Sequence, residues 1–181
     1  MLLFLLFIFL VAAAISCIFS VNALYTTLKT GLPYVSTPNW AIDWLRENIK
    51  LDQSDVVYEL GCGDARVLSA LAKANPTAKF IGIEIQWWPY LWAKWWTRHQ
   101  ANVTIVRGDF LKADLSSATL VYGFFITVMM PKVADRLRQV LHDGVQVISF
   151  GFALPGWTPT SEIPNPTKAR GSKIRIYQKS S

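Results

Sequence analysis

Charged side chains are absent from the first 28 residues of this chain, which has 181 residues in all. An uncharged, mostly apolar run longer than about 20 residues is typical of a membrane span and predicts a single-pass transmembrane helix over residues 1–25. The run also lacks the basic start of a secretory signal peptide. A removed signal stays open as the alternative, because Val21-Asn22-Ala23 is an acceptable cleavage triplet.

Acidic residues are few relative to basic ones: 12 Asp and Glu stand against 18 Lys and Arg, giving a net charge of +6. This excess favours a phospholipid surface, a nucleic acid or an acidic protein as surroundings. No run of five cations occurs, so we expect a generally basic surface and no nucleic-acid-binding arm. Lys29, Arg46 and Lys50 all follow the apolar run, which predicts that the domain lies on the cytoplasmic side of the membrane.

Cysteine is scarce as well. Cys17 lies in the apolar run and Cys62 lies between two glycines, so we do not expect the two to form a disulfide. No other residues have the spacing of metal ligands. The pattern predicts a reducing compartment and no metal site.

Short β-rich runs alternate with amphipathic helical segments from residue 55 to residue 181. Residues 26–54 precede them as a linker and one pre-domain helix. The alternation predicts an α/β domain with a parallel sheet covered by helices on both faces. The segment after Phe110 is too short for a full crossover helix, so the predicted domain is a pared-down one.

The first predicted strand ends in Gly61-Cys62-Gly63-Asp64. In open α/β sheets, ligands bind beyond the carboxyl ends of the strands. The glycines permit a tight turn against which a ligand can lie, and the following helix begins with free N–H groups. We therefore interpret this turn as part of a ligand site.

Two further acids end the next predicted strands. Glu84 follows the second strand, where a carboxylate can accept hydrogen bonds from both hydroxyls of a ribose. Asp109 follows the third strand beside Phe110, where a carboxylate and a ring can hold the edge and face of an adenine. Three neighbouring strand ends thus carry residues that suit a nucleoside.

The kind of nucleoside is restricted by what the turn lacks. Arg66 stands where a dinucleotide fingerprint requires a third glycine, and no Gly-Lys-Ser/Thr phosphate loop occurs. Glu59, just before the glycines, would repel a pyrophosphate and tolerate a cationic ligand. These features indicate S-adenosylmethionine.

The segments 59–64 (ELGCGD), 81–84 (IGIE) and 108–110 (GDF) resemble motifs of class I S-adenosylmethionine-dependent methyltransferases, which have a Rossmann-like fold. Three other segments, with the apolar leader, resemble the small membrane-anchored lysine methyltransferases that modify the ATP synthase c-subunit and adenine nucleotide translocase. They are LPYVSTP (32–38), FFITVMM (124–130) and FALPGW (152–157). The resemblance covers about residues 33–181.

The resemblance implies a role for each matched residue. The first motif would contact the methionine end of the cofactor. Glu84 would contact the ribose, and Asp109 would contact the adenine. The candidate cofactor-binding residues are Glu59, Gly61, Cys62, Gly63, Asp64, Arg66, Glu84, Ile85, Asp109 and Phe110. The candidate substrate-proximal residues are Tyr34, Val35, Phe124, Thr127 and Met130. Three residues depart from the family pattern: Ala65, Gln86 and Trp87. These departures would change the wall of the cofactor site near the ribose.

Residues and resemblance together predict a membrane-anchored methyltransferase that modifies lysine in a protein substrate, with membrane proteins among the candidates. The Asn-Pro-Pro-Tyr motif of base methylators is missing, so no nucleic-acid partner is expected. No general base can be named; apolar walls would suffice to keep a lysine amine neutral. The alternatives are methylation of a lipid or small hydrophobic molecule, and a non-catalytic S-adenosylmethionine-binding module.

Five of the eight tryptophans lie in the segment 87–96 (WWPYLWAKWW). Trp88, Leu91, Trp92 and Trp95 would share one face of a helix. We expect most of these side chains to cover the sheet. Contact with a membrane interface or a substrate is the alternative.

Overall fold

A computed structural model describes residues 1–30, 36–167 and 172–180 of the chain, without the side chains of residues 19 and 22–30. The chain divides into two compact units, Met1–Val35 and Ser36–Ser181. The second unit holds the whole sheet and both hydrophobic cores.

The first unit contains one long helix, α1 (Leu2–Thr30). Its large apolar side chains are exposed wherever they are described, from Leu2 to Val21. Among the residues whose side chains the structure describes, no helix has both the length and the apolar content that crossing a membrane requires. The transmembrane helix predicted for residues 1–25 is therefore not confirmed.

The second unit is built on a seven-stranded sheet in the order β3-β2-β1-β4-β5-β7-β6. The strands are β1 (Val56–Leu60), β2 (Lys79–Glu84), β3 (Val103–Arg107), β4 (Leu120–Phe124), β5 (Gln146–Gly151), β6 (Ser161–Ile163) and β7 (Lys173–Gln178). The first five strands are parallel, whereas β7 runs antiparallel to β5 and β6 antiparallel to β7. The predicted all-parallel sheet is thus wrong at one edge, because the segment between β5 and β7 is a short return that contains β6.

Helices cover both faces of the sheet, as the alternating pattern predicts. The helices are α2 (Asn39–Asn48), α3 (Arg66–Ala74), α4 (Trp87–Trp96) and α5 (Met130–Val140). Buried side chains of α2, α3 and α4 share one core, and those of α5 share the other. Between β3 and β4, where every residue is described, the chain forms only one short 3-10 turn, Phe110–Lys112, so no crossover helix covers that part of the sheet.

The order of the strands reverses at β1, which pairs with β2 on one side and with β4 on the other. In parallel α/β sheets such a reversal leaves a crevice at the carboxyl ends of the strands. The Gly61–Asp64 turn follows β1 at this position. The fold therefore places the predicted ligand turn where a ligand site is expected.

The helix α4 packs differently from the prediction. Ala93 is its only buried residue, and the rings of Trp88, Trp92 and Trp95 are 40–54% exposed. The small side chains of Ala93 and Thr97 face inward instead, and the Thr97 hydroxyl donates to the Ala93 carbonyl at 2.8 Å. The prediction that the tryptophans cover the sheet is wrong, because these small residues form the contact.

Candidate cofactor site

The turn after β1 has a backbone that favours glycine. Gly61 and Gly63 have φ values of +73° and +55°, in the left-handed region where a side chain is strained. The N–H groups of Gly61 and Cys62 both donate to the Ile83 carbonyl, at 2.8 and 3.0 Å. The turn is therefore tied to the end of β2 and held open toward the crevice.

Ala65 continues this conformation with a φ of +59° and immediately precedes α3. Its N–H donates to the Cys62 carbonyl at 2.7 Å, and its own carbonyl accepts from the Ser69 N–H at 2.8 Å. Ala65 stands where the resembling family more often has glycine, and the strain of its left-handed backbone is offset by these bonds and by complete burial.

The turn packs on β2 at Gly82. A Cβ atom at Gly82 would lie 2.8 Å from the Cys62 sulfur and 3.0 Å from a Leu68 methyl carbon. Cys62 is 5% exposed, and burial raises the pKa of its thiol well above the usual value. The neutral thiol of Cys62 therefore fills the space over Gly82, and only the backbone of Cys62 is left to contact a ligand.

Glu59 is a buried carboxylate at the carboxyl end of β1, with 5% of its surface exposed. Its Oε2 accepts a hydrogen bond from the Leu68 N–H in the first turns of α3, at 3.0 Å. Burial raises the pKa of Glu59 well above its ordinary value, and the negative charges of Asp64 and Glu84 act in the same direction. No cation among the described residues forms an ion pair with it.

Glu84 joins the two turns that border the crevice. Its Oε2 accepts from the Gly63 N–H at 2.9 Å and its Oε1 accepts from the Gln86 N–H at 2.7 Å. The carboxylate is 6% exposed, and burial raises its pKa despite these two bonds. Each oxygen keeps a lone pair for a further donor, as a pair of ribose hydroxyls would require.

Asp64 and Arg66 form a pair at the rim of the turn. The Arg66 guanidinium donates from Nε to both Asp64 oxygens, at 3.0 and 3.1 Å, while Asp64 also accepts from the Arg66 backbone N–H. Both side chains are nearer to solvent than Glu59 and Glu84. The predicted contacts of Asp64 and Arg66 with a cofactor stay predictions.

Asp109 ends the third strand and begins the 3-10 turn, where its Oδ1 accepts from the Leu111 N–H at 3.0 Å. The following ring, Phe110, lies 4.0 Å from the position of a Cβ at Gly61 and packs against Phe125 at a centroid distance of 5.5 Å. The Gly108 N–H donates to the Glu84 carbonyl at 3.0 Å. The structure thus brings the ends of β1, β2 and β3 together.

These residues fit S-adenosylmethionine through their charge. Burial raises the pKa of both Glu59 and Glu84, and the negative charge of Glu84 adds to the shift of Glu59. Among the described residues no cation forms an ion pair with either carboxylate. A ligand with a sulfonium and an ammonium group supplies the missing positive charge. The positive φ values of Gly61 and Gly63 leave backbone against which such a ligand can lie.

A separate cavity of about 500 Å³ lies on the face of β1, β2 and β3 where a crossover helix is missing. Its walls include Tyr58, Ile81 and Val106, and it reaches the cofactor turn only through Gly108 and Asp109. The predicted nucleoside position and this cavity therefore share one edge and are otherwise distinct.

The predicted substrate-proximal residues are only partly brought together. Tyr34 and Val35 lie outside the described residues. Phe124 is half-buried against the edge of Phe150, with ring centroids 4.9 Å apart, and Thr127 is exposed beyond β4. Met130, the first residue of α5, is 2% exposed and packs in the core, and its predicted proximity to a substrate stays a prediction.

Sequence reasoning missed a contact between Thr37 and Tyr122. The two hydroxyls lie 2.9 Å apart in the interior, and Tyr122 pairs with Glu59 across the β1–β4 register. Burial and the charge of Glu59 raise the pKa of the Tyr122 hydroxyl. A tyrosine in an otherwise apolar strand, beside the strand of the motif acid, was the available signal. Ile85 is 44% exposed, and its predicted contact with a cofactor stays a prediction.

Comparison with known protein families gives a match to the ANTKMT methyltransferase domain over residues 59–161. A protein-lysine N-methyltransferase of Saccharolobus islandicus is 33% identical over 141 residues, which is 73% of this chain and 84% of that protein. The ATP synthase c-subunit lysine N-methyltransferase of Rattus norvegicus is 29% identical over 72% of this chain. The chain spans 61% of the length of that second relative.

Solved structures show the same fold. An RNA methyltransferase from Salinibacter ruber, in complex with S-adenosyl-L-homocysteine, superposes with a TM-score of 0.71 at 27% identity. The match covers 80% of this chain and 93% of the other. S-adenosyl-L-homocysteine is what remains of S-adenosylmethionine after methyl transfer, so the neighbour holds the cofactor class that the turn and its acids fit.

Proposed function

The chain belongs to the ANTKMT methyltransferase family and is an S-adenosylmethionine-dependent methyltransferase, and from this premise we propose that its methyl acceptor is a lysine side chain of a protein. The observation that carries the proposal is the 33% identity to a protein-lysine N-methyltransferase over most of both chains. A second relative is also named for a lysine substrate, in the c-subunit of ATP synthase.

The chemistry of the site is compatible with an amine acceptor. When bound, S-adenosylmethionine supplies a methyl group carried on a positively charged sulfur. The chain contributes buried carboxylates that favour a cation, Glu59 and Glu84, and a turn that leaves backbone accessible. In this arrangement the protein's task is alignment of the two reactants.

A lysine amine must lose its proton before it can accept a methyl group. An apolar environment lowers the pKa of an amine, because the charged form loses its hydration. The half-buried Phe124 ring and the Met129 side chain, at the end of β4, offer such an environment. We expect deprotonation by desolvation, with no general base from the chain.

The acceptor is identified by following the methyl group. The purified full chain is incubated with isotopically labelled S-adenosylmethionine and membranes of its source, and the labelled protein fraction is hydrolysed to amino acids. We expect the label in methylated lysine. A variant with Glu84→Ala, compared at equal concentration, should transfer little label.

Other destinations of the label would contradict the proposal. Label that is extracted by organic solvent would indicate a lipid or small hydrophobic acceptor. Label that is released by ribonuclease and survives protease would indicate RNA, the class named for the Salinibacter ruber neighbour. Label in a protein residue other than lysine would retain the enzyme class and exclude lysine.

Membrane attachment belongs to the same proposal. The support is the absence of charge before Lys29 and the exposure of the apolar side chains of α1. The basic residues that follow the apolar run favour a domain on the cytoplasmic side. The test is extraction of cell membranes at alkaline pH, followed by protease treatment of sealed vesicles. Release of the chain at alkaline pH would contradict an integral anchor.

A further inference from the structure

A group of large apolar side chains on α4 is exposed on the surface of the second unit. We define the aromatic patch as Trp87, Trp88, Leu91, Trp92, Trp95 and Trp96, whose exposed fractions lie between 37% and 54%. Ile85 and Val106 extend it at 44% each. Contiguous exposed apolar surface of this kind marks an interaction site in folded proteins.

The patch forms one continuous strip along the helix. Its members recur every four residues in two adjacent rows, 87/91/95 and 88/92/96, which together cover about half of the helix circumference. The opposite side carries Ala93, the only buried residue of α4. Because α4 lies above the edge strand β3, the strip is a convex ridge and not a groove.

Three cations border the ridge, and each one lies over an aromatic ring. The Arg98 guanidinium is 4.4 Å from the Trp95 ring centre, the Arg107 guanidinium 4.6 Å from that of Trp87, and the Lys94 ammonium 5.7 Å from that of Tyr90. These positions keep positive charge at the rim of the apolar surface. A cation over an aromatic ring is attracted by the negative face of the ring, which holds these charges beside the apolar surface.

The sequence segment that contains the patch carries no acidic residue, although Glu84 and Asp109 border it. No Asp or Glu occurs between residues 85 and 108, whereas α2 carries Asp43 and Glu47 and α5 carries Asp135. The charged side chains of this segment are therefore all basic. An occupant of this surface should be apolar in its interior and negatively charged at its boundary.

An anionic bilayer surface has these properties. Indole rings concentrate at the level of the lipid headgroups, where the apolar ring body and the polar N–H are both accommodated. Lys and Arg near such a surface are attracted by the anionic lipids of the leaflet. A protein partner would normally present a recess to a ridge of this width, whereas a bilayer accepts a convex surface directly.

We propose that the aromatic patch of α4 is a second membrane contact of the chain, inserted at the headgroup level of an anionic phospholipid bilayer. The contact is separate from α1 and does not depend on which acceptor receives the methyl group. It holds the globular unit itself at the lipid surface, with the helix α4 toward the bilayer.

The test compares two labelled positions in the full chain, including α1. In a Cys17→Ser background, a nitroxide label is attached through Trp92→Cys on α4 or through Gln139→Cys on α5, on the opposite face of the sheet. Cys62 is buried and should not react. Each protein is reconstituted into vesicles of phosphatidylcholine alone or with phosphatidylserine, and accessibility to a water-soluble nickel complex and to oxygen is measured.

In phosphatidylserine vesicles, we expect position 92 to be several-fold less accessible to the nickel complex than position 139, and more accessible to oxygen. Protection should weaken without phosphatidylserine, and also when Lys94→Gln and Arg98→Gln are introduced. Equal accessibility of the two positions would overturn the proposal. Protection of position 92 from the nickel complex without any gain in its accessibility to oxygen would also overturn it and would indicate that α1 or a second copy of the chain covers the patch.

The unmodified chain offers a second measurement that requires no substitution. Five of its eight tryptophans lie on α4, so we expect this helix to contribute most of the fluorescence. Phosphatidylserine brominated near the headgroup should quench most of this emission, whereas bromination at the end of the acyl chains should quench it less. Emission that is unchanged by either lipid would overturn the proposal.

Discussion

At the residue scale, Glu59 lowers the stability of the ligand-free fold while it favours binding of a cationic ligand. A carboxylate with 5% exposure and one backbone hydrogen bond is costly to ionise without a cation. Its pKa is therefore raised well above 4.5. Well below pH 4.5 the group is protonated in both the folded and the unfolded chain. As the pH rises above about 4.5 the unfolded chain ionises first, so the cost to stability grows from there and is complete once the pH exceeds the raised pKa.

The substitution Glu59→Gln should increase the thermal stability of the ligand-free protein at pH 7. Glutamine can still accept from the Leu68 N–H but carries no buried charge. A gain of about 1 kcal/mol corresponds to a rise in Tm of about 2–4 °C for a chain of this size. The difference between variant and wild type should grow as the pH increases from about 4.5, measured by calorimetry without cofactor.

The same variant should bind S-adenosylmethionine about tenfold or more weakly, because hydrogen bonds to charged groups contribute roughly 1.5–3 kcal/mol. Isothermal titration calorimetry measures this loss. A variant that is both less stable and unaltered in affinity would show that Glu59 is a structural residue. A carboxylate that serves ligand binding should give opposite effects when it is replaced: higher stability of the ligand-free protein and weaker binding of the cofactor.

Glu84→Ala should reduce the affinity for S-adenosylmethionine by at least about tenfold to a hundredfold, since it removes the acceptor of two backbone N–H groups as well as a charge. The matched control is Glu162→Ala, because Glu162 is an exposed carboxylate paired with Lys173 and Arg175 on the far edge of the sheet. Exposed pairs of this kind contribute little to stability. Similar losses of affinity in both variants would contradict the assignment of Glu84.

At the element scale, the turn after β1 depends on a close approach to β2. Gly82→Ala should lower the free energy of unfolding by about 1–3 kcal/mol, as overpacking of a filled interior does. The reason is that the added Cβ would lie 2.8 Å from the Cys62 sulfur. Cofactor affinity should fall as well, because displaced Cys62 is followed directly by Gly63. Urea denaturation measures the first effect and titration calorimetry the second.

Gly108→Ala is the control for the added methyl group, since nothing lies within 4 Å of its Cβ position. Its free energy of unfolding should stay within about 0.5 kcal/mol of the wild-type value. If both substitutions reduced stability equally, the effect would come from backbone conformation and not from the contact between the turn and β2.

The helices and strands could be predicted from the sequence wherever the hydrophobic periodicity agreed with the residues that end a segment. The five parallel strands and α3 follow from short β-rich runs that alternate with an amphipathic segment ending at Asn75-Pro76. The strand β6 was missed, because Ser161–Ile163 is three residues long and pairs only with β7. The orientation of α4 was also mistaken, since hydrophobic periodicity assigns the larger apolar face to the core.

At the scale of the whole molecule, the candidate site could be located before the fold was known because strand order converts three distant segments into neighbours. Glycines and acids at the ends of β1, β2 and β3 become one group by topology alone. The Thr37–Tyr122 contact could not be anticipated in this way. It joins residues 85 positions apart through a loop, and no period or motif relates the two.

The two compact units lead to a final prediction about the intact chain. A chain that begins at Lys29 lacks the apolar run but retains both cores, the described cofactor residues and the predicted substrate-proximal Tyr34 and Val35, so its affinity for S-adenosylmethionine should stay within about twofold of the full chain. Methylation of membrane-bound protein should fall by about a hundredfold, because an anchor that confines enzyme and acceptor to one surface raises their effective concentration. Methylation of a soluble lysine peptide should not change.

Residual activity on membranes should be sensitive to salt if the aromatic patch still contacts anionic lipid. Equal activity of both chains on membranes would contradict a tethering role for residues 1–28.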